Sequence, residues 1–321
     1  LIGDQKMSTK LTEVLAKKRV VILDNGLATE CECLGANIKN ELWSASLLFS
    51  EEGRALIRQA HLNALLAGAD AVTTASYQAS YPGLKSFANL EGPKADEVFL
   101  QAVTVAREAI AELKRRFPGR DALVIGSCGT YGAYLADGSE FTGNFKASIE
   151  ELKDFHRRRL LTLVKAGVDG IAFETVPCKA EATALGELLR ETAINIPTWV
   201  SFCCRDGMHV SSGELFSDCV TAVEPYAFAV GVNCTAPGDV SDLLRSARLV
   251  TTKPFVVYPN RGEVWNHELR RFESKEAEWD FGASAVQWYE LGARLIGGCC
   301  RTTTEDISKI RMHVYRHLGN L

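Results

Sequence analysis

Among the ten cysteines in this 321-residue chain, Cys299 and Cys300 are adjacent and follow Gly297-Gly298 at the end of the apolar run RLIGG. A third, Cys234, closes another apolar run, FAVGVNC. Three thiolates brought together suit a soft or borderline divalent ion, zinc first among those a cell supplies. Three protein ligands would leave the fourth tetrahedral position open for chemistry. Gly297 and Gly298 would let the backbone turn so that both neighbouring sulfurs point inward. Spacing alone leaves two other readings open, buried thiols or a vicinal disulfide, because widely separated cysteines carry no compact ligand signature. The remaining seven read as ordinary side chains. Cys31 and Cys33 lie in a helix-like segment, Cys128, Cys178 and Cys219 are isolated, and Cys203-Cys204 is a second vicinal pair without preceding glycines; free cysteine in such places behaves as a small hydrophobe.

What could bring Cys234 to the other two is the order of elements. Short β-branched runs occur at 20–25, 70–76, 122–128, 169–175, 198–203, 228–234, 254–260 and 294–300. Their near-continuous apolar character suits strands covered on both faces. Helix-like stretches follow them at 51–67, 95–116, 149–166, 179–193, 239–249, 280–291 and 304–317, with a weaker one near 215–224. LLAGAD, VKAGVD and YELGAR repeat one grammar, a helix closed by glycine and a strand beginning at once. Eight such βα units without a Pro/Gly/Ser linker indicate a single (β/α)8 TIM barrel over 7–321, with a doubly wound open sheet as the alternative. In a barrel the chemistry belongs at the C-terminal ends of the strands. Those ends carry Asp24-Asn25-Gly26, Ser76-Tyr77, Ser127-Cys128, Glu174-Thr175, Cys203-Cys204, Asn233-Cys234, Tyr258-Pro259-Asn260 and Cys299-Cys300.

The bulk numbers narrow the partners. A net charge of −4 gives no electrostatic case for nucleic acid. The one basic cluster, His156 to Arg159, falls inside a helical pattern and reads as a solvated face. No run of 18 apolar residues would span a membrane. Leu1 to Lys6 read as a remnant ahead of a natural start at Met7, without a signal peptide. Cysteine-rich chains of that kind are expected in a reducing compartment, with the cytoplasm as default.

The motifs GVNCTAP (231–237) and GGCCRTT (297–303), with LDNGLATE near the start, resemble the homocysteine S-methyltransferase family over essentially the whole chain. The resemblance implies a (β/α)8 barrel, zinc held by Cys234, Cys299 and Cys300, and transfer of a methyl group to homocysteine to give methionine. It also implies that Asp24 and Glu174 hold the substrate ammonium, with backbone NH groups around Asn25 and Gly26 for the carboxylate. Read without it, Asp24 is equally a helix cap and Glu174 a buried ion-pair partner. Ser76, Tyr77, Asn233, Asn260 and Glu263 complete the expected substrate-binding set. The family usually carries Gly or Ala where Asn25 stands; Asn tolerates tight turns and positive φ.

A methyl donor to a thiolate is a cation, a sulfonium or quaternary ammonium, which aromatic faces stabilise. Tyr77, Tyr131, Tyr134 and Trp265 are the available rings, each equally readable as packing. GAYLADGSEFTG and YPNRGE resemble the S-methylmethionine branch, whose usual forms carry Pro at Thr130 and Ser at Arg261. Arg261 beside a cationic donor is expected to point away or pair with Glu263. The betaine-using branch has a long C-terminal extension, whereas this chain stops one helix after Cys300, which favours S-methylmethionine and a monomer or weak homo-oligomer. S-adenosylmethionine as donor and selenohomocysteine or selenocysteine as acceptor stay open, as does a non-enzymatic vicinal-dithiol redox or metal-buffering protein. The polar stretch 261–280 is long for a βα turn and reads as a lid or as a solvated loop.

Overall fold

A computed structural model describes residues 9–262, 264–266, 271–273 and 279–319. The eight anticipated strands are all there: β1 (Val21–Ile22), β2 (Ala71–Thr73), β3 (Leu123–Gly129), β4 (Gly170–Val176), β5 (Thr198–Phe202), β6 (Ala229–Asn233), β7 (Phe255–Tyr258) and, after a hairpin of β8 (Val264–Asn266) with β9 (Arg271–Glu273), β10 (Ala293–Ile296). Eight of these run parallel in the order β1-β10-β7-β6-β5-β4-β3-β2. At the β1/β2 seam side chains extend the ladder. The Asp70 N–H donates to the Ile22 carbonyl at 2.7 Å, the Ile22 N–H donates to the Asp70 carboxylate at 3.0 Å, and the Thr73 N–H donates to Asp24 at 2.7 Å. The result is a nearly closed (β/α)8 barrel.

Two apolar layers explain the continuous apolar strands. Val21, Leu123, Ile125, Ala172, Trp199, Val256 and Leu295 fill the lumen. Ile22, Val124, Ile171, Phe173, Val200, Val230 and Ile296 face the surrounding helices. Alternation between lumen and helix layer along each strand leaves neither face polar. A helix that the sequence reading did not anticipate, Lys10–Lys18, begins at a Thr9 capping box. It puts Leu11 into the lumen layer, with Val14 and Leu15 against it.

The helix-closing glycines behave as the grammar requires: Gly68, Gly167 and Gly292 have φ of 116°, 81° and 105°. The basic cluster does not form one solvated face. In the helix Ile149–Lys165, His156 and Arg159 are buried while Arg157 and Arg158 stay out. A 3.6-residue period explains the split, since 156 and 159 lie on the stripe of Leu152, Phe155, Leu160 and Leu163. Among the described residues no helix is long and apolar enough to cross a membrane.

Candidate active site

Cys234 follows the last residue of β6, and Cys299 and Cys300 follow β10 by two residues. The barrel brings the three to one point on its C-terminal rim. The Cys234 sulfur lies 2.6 Å from that of Cys299 and 3.9 Å from that of Cys300, and all three sulfurs sit within 4.8 Å of one another. Gly297 and Gly298 serve this convergence differently than anticipated. Neither has a left-handed φ; that conformation falls on Cys234 (48°) and Arg301 (66°). A Cβ on Gly297 would lie 2.6 Å from Leu23 Cβ and 2.8 Å from the Asp24 carbonyl oxygen, so the glycine is there for close approach to the end of β1.

Three thiols this close cannot all ionise unaided. Hydrogen bonds from Cys234 and Cys300 pull the Cys299 thiol well below its ordinary value, and donating to Cys299 holds Cys234 well above. Cys203, read as a bland decoy, is closer to the cluster than the sequence suggested. Its thiol donates to the Cys234 carbonyl at 3.3 Å, and its sulfur stays outside the three-sulfur group.

Acids flank the sulfurs. Asp24 is neither exposed nor a simple helix cap. Its carboxylate accepts from the Thr73 N–H at 2.7 Å and hydroxyl at 2.9 Å, and burial nevertheless pushes it up to about 6. Glu174 accepts the Ser127 hydroxyl. Burial pushes it up to about 8, with the nearby Cys299 and Asp24 charges adding to the rise and Ser127 and Tyr258 opposing it. The next residue, Thr175, has a φ of 63°, unusual for a β-branched side chain. Asn233 holds it there. The Asn233 amide oxygen accepts the Thr175 N–H at 2.7 Å, and its Nδ2 donates to the Thr175 hydroxyl at 2.8 Å. The same Nδ2 lies 3.9 Å from the Cys299 sulfur, so Asn233 ties β4 to the cluster.

The other anticipated residues are spread around the same rim. Gly26 lies against the Cys299 carbonyl, 2.5 Å from where its Cβ would be, and its N–H donates to Thr302 Oγ1 at 3.3 Å. Asn25 does not have a left-handed φ; its amide donates to Glu30 at 3.4 Å and to the Thr302 carbonyl at 3.4 Å. Ser76 is buried and donates to the Ser127 carbonyl at 2.8 Å. Asn260 is buried, and its Oδ1 has no hydrogen-bond partner among the described residues. Glu263 and the Trp265 side chain lie outside the described residues, as does much of 261–280. Arg261 sits 4.0 Å from Asp306.

The rings sort themselves. Tyr131 and Tyr134 pack with Phe155 at centroid distances of 5.1 and 5.8 Å, which is the packing alternative. Tyr77 instead meets Trp43 edge-on at 6.2 Å. Burial pushes the Tyr77 phenol well above its ordinary value, and Glu140, Cys234 and Glu174 add to the rise. Ser127, Thr175 and Tyr258 stand at the strand ends already named, though none was given a role there; Trp43 and Glu140 were not anticipated, since they lie in short 3-10 turns, where local pattern carries no signal.

Comparison with known proteins agrees with this geometry. Residues 21–314 match the homocysteine S-methyltransferase family. Homocysteine S-methyltransferase 1 of Arabidopsis thaliana is 42% identical, covering 97% of this chain and 99% of that protein. Selenocysteine methyltransferase of Astragalus bisulcatus is also 42% identical, over 91% of each. The metallated form of the homocysteine methyltransferase MmuM from Escherichia coli superposes with a TM-score of 0.83 at 37% identity, covering 94% of this chain and 99% of that one.

Proposed function

This chain belongs to the homocysteine S-methyltransferase family, and on that premise we propose that it moves a methyl group from S-methylmethionine to homocysteine, with zinc bound by Cys234, Cys299 and Cys300. The observation that carries the reading is the convergence of three sulfurs beside two buried acids. The residues fit the metal. Sulfurs about 2.3 Å from a tetrahedral ion stand about 3.8 Å apart, close to the 3.9 Å between Cys234 and Cys300. The 2.6 Å contact of Cys234 with Cys299 would open by about 1 Å to match. The ion's contribution is to keep the acceptor sulfur deprotonated and in place at neutral pH.

The chain's own residues do the rest. Asp24 and Glu174 hold the acceptor's ammonium, which places its sulfur toward the cysteines. Asn260 offers its unpartnered Oδ1 to the same amino acid. Tyr77, braced by Trp43, presents a ring to the donor cation. The acceptor sulfur forms the new bond to the methyl carbon, the donor's C–S bond breaks, and its electron pair stays on the donor sulfur. Both products are then methionine. A selenol acceptor is a second reading, favoured by the likeness to a selenocysteine methyltransferase.

Methionine formation is to be measured with S-methylmethionine, S-adenosylmethionine and betaine in turn, before and after metal removal. The expected outcome is about one zinc per chain and turnover from S-methylmethionine that chelation abolishes. Glu174→Gln is expected to keep its zinc while the homocysteine KM rises about 10- to 100-fold, the worth of one charge-assisted contact. Full turnover by metal-free protein would sink the zinc reading; loss of zinc in Glu174→Gln would make that residue structural.

A further inference from the structure

One half-buried acid beside the site remains without a task. Glu140 lies in the turn Ser139–Phe141, beyond β3, and that turn packs on β4. One carboxylate oxygen is buried and has no hydrogen-bond partner among the described residues. The carboxylate is bonded by its own backbone N–H, and burial pushes it up to about 7. Its charge acts on the Tyr77 phenol and on the Cys203 thiol. A Cβ on Gly132 would lie 2.5 Å from the Glu140 N and one on Gly129 2.8 Å from the Tyr77 ring, so the turn and the ring flank the same end of β3. Glu174 acts on Tyr77 too and, with Asp24, is paired with Cys299; Glu140 is the acid of this neighbourhood not already assigned to the acceptor.

Burying a carboxylate without a cation is costly, and a ligand cation would remove the cost. A sulfonium donor bearing an amino acid offers two positive charges, and they are not equivalent. The sulfonium charge disappears as the methyl leaves, so an anion beside it would stabilise the ground state more than the transition state and slow the chemistry. The ammonium charge persists throughout, so an anion there binds both states alike and lowers KM without that penalty.

Building on the donor reading above, we propose that Glu140 binds the ammonium of an amino-acid sulfonium donor and so selects that class over methyl cations that lack an amino group. Tyr77 then faces the sulfonium while Glu140 anchors the far end, and the preference for donor is written in a residue that never touches the transferred methyl.

The test compares two sulfonium donors on wild type, Glu140→Gln and Glu140→Asp: S-methylmethionine, and dimethylsulfonioacetate, which has a carboxylate but no ammonium. In Glu140→Gln the preference for S-methylmethionine, as a ratio of kcat/KM values, is expected to fall about 10- to 100-fold. The homocysteine KM and zinc content should hold, and Glu140→Asp should recover part of the preference. An unchanged KM for S-methylmethionine in Glu140→Gln overturns the proposal. So does an equal loss on both donors and on homocysteine, which would mark a structural residue. A wild type that does not use S-methylmethionine at all refutes the donor reading itself, a different result from either.

Discussion

Replacing Glu181 with leucine should destabilise the fold around the rim. Glu181 is fully buried. It accepts the Thr130 hydroxyl, the Tyr131 N–H at 2.7 Å and His156 Nε2 at 2.7 Å. On its other side His156 Nδ1 meets Arg159 Nη2 at 2.7 Å. Arginine only donates, so Nδ1 must accept and Nε2 must carry the proton given to Glu181. Burial keeps that imidazole neutral, pulling its pKa down to about 4. Glu181 and Arg159 are therefore an ion pair joined through a neutral ring. Arg159 also donates to the carbonyls of Gly129 at 2.7 Å and Ala79 at 3.2 Å. Ala79 lies in the loop that carries Tyr77, and Gly129 ends β3, ahead of the segment that carries Glu140.

Removing one member of a buried pair costs about 3–5 kcal/mol, because the partner stays behind unpaired. An unfolding entropy of about 2.1 cal/mol/K per residue gives ~0.67 kcal/mol/K for 321 residues. Glu181→Leu should then lower Tm by about 4–7 °C. Calorimetry of the metal-loaded protein reads this directly. Asp242→Ala is the control. It breaks the exposed pair with Arg245 at 2.6 Å, worth under about 1 kcal/mol and therefore under about 1.5 °C. If Glu181→Leu melts no lower than Asp242→Ala, the network contributes nothing and its role in holding the rim loops is wrong.

Single Cys→Ala changes at Cys234, Cys299 or Cys300 should remove most of the metal, read by elemental analysis, whereas Cys204→Ala should keep it. Cys203→Ala loses the donor to the Cys234 carbonyl and should show weaker retention against a chelator than Cys204→Ala without losing the site. His61 is buried with neither ring nitrogen partnered among the described residues, and burial pulls it from 6.5 down to about 4. The unfolded chain takes up that proton first, so the stability is full above 6.5 and is lost as pH falls toward 4. His61→Leu should therefore gain about 2 kcal/mol on wild type between pH 7.5 and 5 in denaturant titrations; a constant difference across that range would refute the assignment.

The barrel was legible because its strands are buried on both faces and its helices close on glycine, both of which are local properties. The thiol site was legible because topology alone places Cys234 and Cys299 on one rim, although 65 positions separate them. The plug helix was not. Leu11, Val14 and Leu15 have the spacing of any short surface helix, and only the barrel floor decides that they are covered. The burial of His156 and Arg159 was readable in principle from the stripe they share with Phe155 and Leu160. Charge type was weighed ahead of periodicity there. Trp43 and Glu140 depend on how two long loops fold over the rim, which no local pattern encodes.

Two of the three departures from the usual family motifs, Thr130 and Arg261, can now be judged by what they touch. Proline at position 130 would donate nothing; Thr130 gives its hydroxyl to Glu181 and so adds a bond to the buried network rather than loosening it. Arg261 places a cation near the thiols, with its N–H donating to the Cys300 carbonyl at 3.1 Å. Its guanidinium, however, lies 4.0 Å from Asp306, the acid that caps the last helix through the Thr303 N–H at 2.8 Å. An arginine drawn toward a buried helix-cap acid is not free to neutralise Glu140, Glu174 or Asp24. The rim thus keeps its acids, all raised by burial, without an arginine to neutralise them. On the proposed function, the substitution at 261 therefore leaves those acids available to the cationic groups of the two substrates.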